Sequence, residues 1–284
     1  MYRHWDAEVA EARIKLLKSN LDPTTKRKLE AVCARKLIRG KTRDNFHLTR
    51  DFFDDLEASY PAHYLAAYME GEFCNMSSGS VYPDYDPILN HTNLTFETLP
   101  QAVRTLHIGM DFNVVEAHRH PYGIAAVVGI ILSNQLYMID EIYGCSQTSE
   151  VIKKIKTKFP GYNINVYPDA TSSGSRTSAA ESDRTQLRQA GFTDLSPAGN
   201  PRIEDRVNAV NAQILNGKGH RRLLVNKDRC PILSRCLVQQ PYDPRTGQPQ
   251  KDTGWDDPCD SLGYLVNVLY PISRKDAGQL RLAA

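Results

Sequence analysis

The stretch LHIGMDFNV, Leu106–Val114, decides how the chain is read. An apolar run ends there on one carboxylate, Asp111, with Gly109 two places before it. Three readings of Asp111 are open: a ligand for a catalytic metal, the lip of a phosphate-binding turn, or the polar end of a buried strand. The elements on either side have to choose.

Downstream, YGIAAVVGIIL is a second apolar strand, and SNQ turns it into a third, LYMIDEIYG, as a hairpin. TSEVIKKIKTKF is an amphipathic helix opening at a Thr/Ser cap. YNINVYPDA is a strand ending at Asp169. Helices follow over SAAESDRTQLRQAG, stopped by Gly191, and over PRIEDRVNAVNAQILNGKG. RRLLVN is a short strand, and WDDPCDSLGYLVNVLYPI closes the domain as an apolar helix that Pro258 can start. Three strands, helix, strand, helices, strand, helix predicts a mixed sheet with helices on both faces. That is the element order of the ribonuclease H-like fold, although periodicity alone does not separate it from other mixed α/β sheets.

Upstream, residues 1–75 read as a helical segment. Its pieces are DAEVAEARIKLLKSNL, DPTTKRKLEAVCARKLI (capped by Asp22 and begun by Pro23), LTRDFFDDLEASY and PAHYLAAYMEGEF. Residues 76–102, rich in Ser, Pro, Asn and Asp with little periodicity, read as an extended linker. The mixed α/β domain is expected over 103–273, with a tail at 274–284.

The composition, 41% hydrophobic and 24% charged, is that of a soluble globular protein. A net charge of +2 gives no global basic excess, so any contact with DNA has to come from a local patch. Cys33, Cys74, Cys145, Cys230, Cys236 and Cys259 are scattered without CxxC or zinc-like spacing, which fits reduced intracellular thiols. The longest apolar run, GIAAVVGIIL, is about half of the roughly 20 residues a membrane span needs. The N-terminus carries acids within its helical pattern and no signal-like core. The expected location is cytoplasmic, without a membrane partner.

Three aspartates stand where chemistry can gather. Asp111 closes the first strand, Asp169 closes INVYPD, and Asp260 lies in the first turn of the last helix. Sites in open α/β sheets collect at the carboxyl ends of strands. Crowded carboxylates repel unless a cation intervenes, and hard oxygen ligands select magnesium or manganese. Two such ions about 4 Å apart can activate water and stabilise the leaving oxygen of a phosphodiester. Each acid also has an ordinary reading. Asp111 and Asp169 suit turns, and Asp256 and Asp257 suit a helix start, where acids favour the macrodipole. The conjunction carries the sharper reading. No protein nucleophile is required, so Cys259 reads as a small packing side chain.

These residues resemble the acidic motifs of the nuclease domain in tailed-phage terminase large subunits. IGMDFNV resembles the first, VYPDATSSG the second and DDPCDSLGYLV the third, and the spacing from Asp111 to Asp169 suits that family. The resemblance covers about residues 40–270. TRDNFHLTRDFFDDLEASYPAHYLAAYMEGEF resembles the end of the family's ATPase domain, and GSVYPDYDPILNH the passage into the nuclease. No GxxxxGK[ST] occurs, so no ATPase activity is expected from this chain alone. The engine is expected in the full-length protein or on a separate chain. Two departures stand out. Asn113 occupies a position that is often glycine in the family, and Asp257 one that is commonly histidine. If Asp257 faces the site it adds a fourth carboxylate.

The resemblance implies an endonuclease that cuts concatemeric viral double-stranded DNA during packaging. Asp111, Asp169 and Asp260 would hold two Mg²⁺ or Mn²⁺ ions, with Asp257 as a further ligand and Glu141 as an accessory acid. The implied partners are double-stranded DNA, a terminase small subunit and a portal protein, in the cytoplasm of an infected or prophage-carrying bacterial cell. Arg202, Arg206 and Lys251 are candidate DNA contacts near the acids. Lys153, Lys154, Lys156 and Lys158 supply a basic helix face that reads equally as a solvated one. The alternatives are a Holliday-junction-resolvase-like nuclease or an inactive DNA- or portal-binding module. A sugar-kinase-like ATPase would need a duplicated domain and a second Gly-rich phosphate turn, and the sequence has neither.

Overall fold

Strand β1 (Thr105–Asp111) sets two faces. Side chains alternate along a strand, so Leu106, Ile108 and Met110 enter one apolar cluster while His107, Gly109 and Asp111 face the other way. The computed structural model describes residues 22–33, 41–61, 65, 69, 79–113, 122–170, 182–251 and 253–272. The helix expected over DAEVAEARIKLLKSNL, most of PAHYLAAYMEGEF, the turn beyond Ala170 and the tail at 274–284 lie outside those residues.

The sheet has the order β5-β4-β1-β2-β3-β6. Strands β2 (Ile124–Leu132) and β3 (Gln135–Cys145) form the expected antiparallel hairpin. Ser133 and Asn134 both adopt positive φ at its turn, as a tight two-residue hairpin connection requires. β1 pairs antiparallel with β2 and parallel with β4 (Asn163–Pro168), so it lies at the centre. β6 (Leu223–Val225) extends the β3 edge, and a two-residue β5 (Thr193–Asp194) extends the β4 edge. This mixed, centrally placed β1 sheet is the ribonuclease H-like arrangement.

Helices cover both faces. On the face of Leu106, Ile108 and Met110, helix α3 (Thr148–Lys158) brings Val151 and Ile155, and α4 (Asp183–Gln189) brings Leu187. On the opposite face lie α5 (Ile203–Ile214), α6 (Pro231–Gln239) and α7 (Asp256–Leu269). Helix α6 is bounded by Pro231 at its start and Pro241 just beyond its end. Helix α7 begins two residues earlier than a Pro258 start would give. Pro258 instead falls within the first turn, where its missing N–H has no intrahelical partner to lose.

The chain divides into two compact units, residues 1–48 with 66–74, and residues 49–65 with 75–284. In the first, α1 (Pro23–Cys33) opens at Asp22, whose Oδ1 accepts from the Thr24 and Thr25 amides. In the second, α2 (Arg50–Ser59) is capped by Thr49. Its end is tied down by Asn216, which donates to Ala58 O, and by the Gly217 amide, which donates to Tyr60 O. Among the described residues no helix is long and apolar enough to cross a membrane.

The described part of the stretch read as a linker is residues 79–102. That segment has little regular structure, but Val81, Tyr82 and Tyr85 are buried in the cluster shared with α5, α6 and α7. Three such residues in a segment rich in Ser, Pro, Asn and Asp are too few for a period to register, which hides a core segment inside a polar composition. Asn90, fully buried, donates to Ile214 O and Leu223 O and accepts from the Asp86 amide and Arg221. One side chain thereby satisfies backbone groups from three separate segments.

Candidate active site

Asp111 and Asp169 end up side by side because β1 and β4 run parallel in a register that pairs Met110 with Pro168. The Asp169 amide continues that ladder by donating to Met110 O at 3.2 Å. Both carboxylates therefore stand at the carboxyl edge of the sheet, and both residues are buried.

The other acids arrive on α7, and Gly109 is what admits them. A Cβ added at Gly109 would lie 2.0 Å from Ser261 O and 3.0 Å from Leu265 Cβ. The helix backbone rests directly on the strand where a side chain would otherwise stand. The Ser261 hydroxyl, within 3.0 Å of Ala125 O and 2.9 Å of Asp257 O, fixes the helix against β2. One helical turn then carries Asp256, Asp257 and Asp260, whose i,i+3 and i,i+4 spacings place them on neighbouring positions of one face. The glycine serves helix–sheet contact, which removes the phosphate-turn reading of this stretch.

Asp257 is 2% exposed and belongs to the cluster. The Asn113 side-chain amide donates to Asp111 Oδ2 at 2.8 Å and to Asp257 Oδ1 at 3.0 Å, joining the strand acid to the helix acid. An isolated helix-start acid in solvent would have had no such partner. Asp169 is oriented from another element. Asn200, in the loop before α5, donates to Asp169 Oδ1 at 2.7 Å and accepts from the Ala170 amide at 2.8 Å. Sequence reasoning missed Asn200, whose only outward sign is an Asn–Pro pair in a polar loop.

Two cations serve Asp260. Lys251 donates to its Oδ2 and lies 3.7 Å from Asp256 Oδ2. Arg206, 6% exposed, places Nη1 3.4 Å from Asp260 Oδ1 and its guanidinium 4.3 Å from the centre of the Tyr264 ring. Arg206 is thus a buried support for α7 and does not reach solvent as a DNA contact would. Lys251 is turned onto carboxylates but keeps an exposed side chain, and Arg202 is exposed at the start of α5. Along α3, Lys158 pairs with Asp140 at 2.6 Å and Lys154 donates to Tyr143 O.

Glu141 lies on the same sheet face, but its carboxylate is spent elsewhere. Its two oxygens accept from the Ile232 and Leu233 amides, both at 2.9 Å, and so cap the start of α6. Burial raises its pKa, and the two amides oppose that rise. Glu141→Gln should lower stability by about 1 kcal/mol, the size of a helix-cap loss, and denaturant melts of the two proteins check this.

Electrostatics mark Asp111 as the strained centre. Burial first, then Asp260, Asp257 and Asp169, push its carboxyl well above the usual range. At Lys251 burial pulls the ammonium down, but Asp260, Asp256 and Asp111 outweigh it and the net shift is upward. Buried carboxylate oxygens in excess of their hydrogen-bond donors include Asp256 Oδ1, which has no partner. Among the described residues no three acid, histidine or cysteine side chains already form a metal-holding group. The donor set nevertheless fits a hard divalent cation in kind and charge: carboxylate oxygens only, one held against ionisation by its neighbours, and a lysine already drawn in.

Sheet order, helix layers and the acidic carboxyl edge together define a ribonuclease H-like domain. Among solved structures the chain is similar to the large terminase from the thermophilic bacteriophage D6E in complex with ATP-gamma-S. The identity is 14% and the TM-score 0.61, over 82% of this chain and 55% of that one. A second crystal form of the D6E large terminase gives 16% identity and a TM-score of 0.60, over 86% of this chain and 58% of that one. The chain therefore spans a little over half the length of these structures, and at such identity the likeness is one of fold. No family model and no curated protein matches the chain.

Proposed function

We propose that this chain carries the nuclease of a viral DNA-packaging terminase and cuts concatemeric double-stranded DNA. The observation that carries the reading is the gathering of Asp111, Asp169, Asp257 and Asp260 at one carboxyl edge of a ribonuclease H-like sheet. Asp111, Asp169 and Asp260, joined by Asp257, would hold Mg²⁺ or Mn²⁺, and the two-ion arrangement is the form we favour. A divalent cation bound there would draw negative charge onto itself and make water a better nucleophile toward the scissile phosphorus.

The chain's own residues supply the rest. Asn113 and Asn200 orient Asp111, Asp257 and Asp169, holding their oxygens where a bound cation needs them. Arg206, on α5, pairs with Asp260 and stacks on Tyr264, and so holds α7 in place. The exposed Arg202 is proposed to contact the DNA backbone, which fixes position without reading sequence. The proposed partners are double-stranded DNA, a terminase small subunit, a portal protein, and an ATPase domain in the longer protein or on another chain. The setting would be the cytoplasm of the bacterial host.

The test is nicking and linearisation of supercoiled plasmid by the native chain and by Asp169→Asn, in Mn²⁺ and in EDTA. Cleavage should require the metal and fall by about a hundredfold in the variant. Cutting that persists in EDTA, or that ignores the substitution, would sink the metal reading. A folded native chain that binds DNA without cutting it would favour an inactive binding module, a reading to which the pairing of Asp260 with Lys251 and Arg206 lends some weight.

A further inference from the structure

We propose that Lys251 is a tethered cation occupying one side of the acidic site, between Asp256 and Asp260, and that a divalent ion must displace it to bind there. This rests on the reading of the site as a metal site. It adds Asp256 to the residues that bound the cation position.

The loop that carries Lys251 is built to hold its backbone while leaving its side chain free. Gln240, 1% exposed, donates to Gln250 O at 2.7 Å, and the Gln250 amide donates to Pro241 O at 2.9 Å. Tyr242 and Pro249 bridge, and the Asp243 amide donates to Gln248 O. The loop is therefore closed on itself just before Lys251. From that fixed base a four-carbon stem reaches the carboxylates, and its side chain is 45% exposed while Asp256 is 3% and Asp260 18% exposed. A lysine stem has several rotatable bonds and an ammonium that is well hydrated in water. It can leave by rotation, with no movement of the loop.

The charges make the exchange favourable. Asp256 Oδ1 is buried without a partner, so one ammonium does not satisfy the pair it sits on. A divalent ion brings twice the charge to the same oxygens, and hard oxygen ligands suit it. Lysine and metal then compete for one position, which is a coupling between two ligands. Removing one competitor should strengthen the other by about tenfold, within the usual range of such couplings. Arginine makes the opposite change. A longer planar fork can engage both carboxylates at once, and it should hold the position more firmly than lysine does.

The experiment measures Mn²⁺ binding by calorimetry on the native chain, Lys251→Met and Lys251→Arg, with no DNA present. We expect K251M to bind Mn²⁺ about tenfold tighter and K251R severalfold weaker than native. In the native chain, acylation of the Lys251 amine, followed by mass spectrometry, should speed up when Mn²⁺ is added. Equal or weaker binding by K251M while the native chain binds would overturn the lysine's role and leave the metal site standing. If neither chain binds Mn²⁺, both ideas fall together. Should K251M not fold, K251R and the acylation rate decide: unchanged affinity or an unchanged rate overturns the proposal.

Discussion

Replacing Asp111 with asparagine should raise the stability of the metal-free protein at neutral pH while removing about a thousandfold of the metal-dependent DNA cleavage proposed for it. The two effects share one cause. Burial, with Asp260, Asp257 and Asp169 around it, holds the Asp111 carboxyl well above its ordinary value of 3.8. The unfolded chain gives up this proton near 3.8, whereas the folded chain keeps it to higher pH. Stability is therefore complete below the unfolded value and is lost as pH rises through the folded one. Asparagine never ionises, and its carbonyl oxygen can still accept from Asn113. The gain should be about 0.5–2 kcal/mol, typical of substitutions that relieve a strained active site. In EDTA the native melting temperature should fall as pH rises above about 4, with a flatter profile for D111N. Mn²⁺ should stabilise the native chain and leave the variant nearly unchanged. A D111N protein that melts lower than native in EDTA at pH 7 would refute this account of the site.

Gly109→Ala should cost about 3 kcal/mol, at the upper end of overpacking penalties, and should cripple the proposed cleavage besides. The added methyl would meet the Ser261 carbonyl at 2.0 Å, and that oxygen belongs to helix backbone. No rotamer change can relieve the overlap, so α7 has to lift from β1. Asp257 and Asp260 ride on that helix, and a shift of about 1 Å in a reacting constellation can cost on the order of a hundredfold in rate. Gly129 is the informative contrast. Its added methyl would meet the Met138 sulfur at 2.9 Å, near the end of a flexible side chain, and the Tyr137 backbone oxygen only at 3.1 Å, so Gly129→Ala should cost about 1 kcal/mol and spare the site. Thermal melts and cleavage rates of the two variants compare them directly. Equal losses in both would mean that Gly109 is not the seat of the helix.

The sequence showed most of this architecture for a physical reason. β1, β2, β3 and β4 are apolar runs bounded by turns, and Asp111 and Asp169 stand at the carboxyl ends of β1 and β4. Hence Asp111 and Asp169 were legible as candidates, and so was Asp260 on an apolar helix. What it left open were directions that depend on tertiary contact. Asp257 could have faced either way, and its orientation follows from where α7 begins and from Asn113 reaching across. Arg206 and Lys251 read as candidate DNA contacts because they lie near the acids, and proximity to acids is also what draws a cation into an ion pair, as both do with Asp260. Helix α6 is short and β5 shorter still, too brief for a period to register. Beyond its Asn–Pro pair Asn200 carries no local signal, since its partner is Asp169 in a distant segment.

The docking of α7 on Gly109 also fixes when the acidic edge can exist. Synthesis runs from the N-terminus, and domains organise as their segments become available. A nascent chain that has reached β6 possesses β1, β4, Asp111 and Asp169, but it lacks the helix with Asp257 and Asp260. Closing the set requires one of the most sequence-distant contacts in the fold, a slow class of event. Nascent chains that stop short of α7 thus carry half the carboxylates, and the complete cluster comes into being only once that helix has been made.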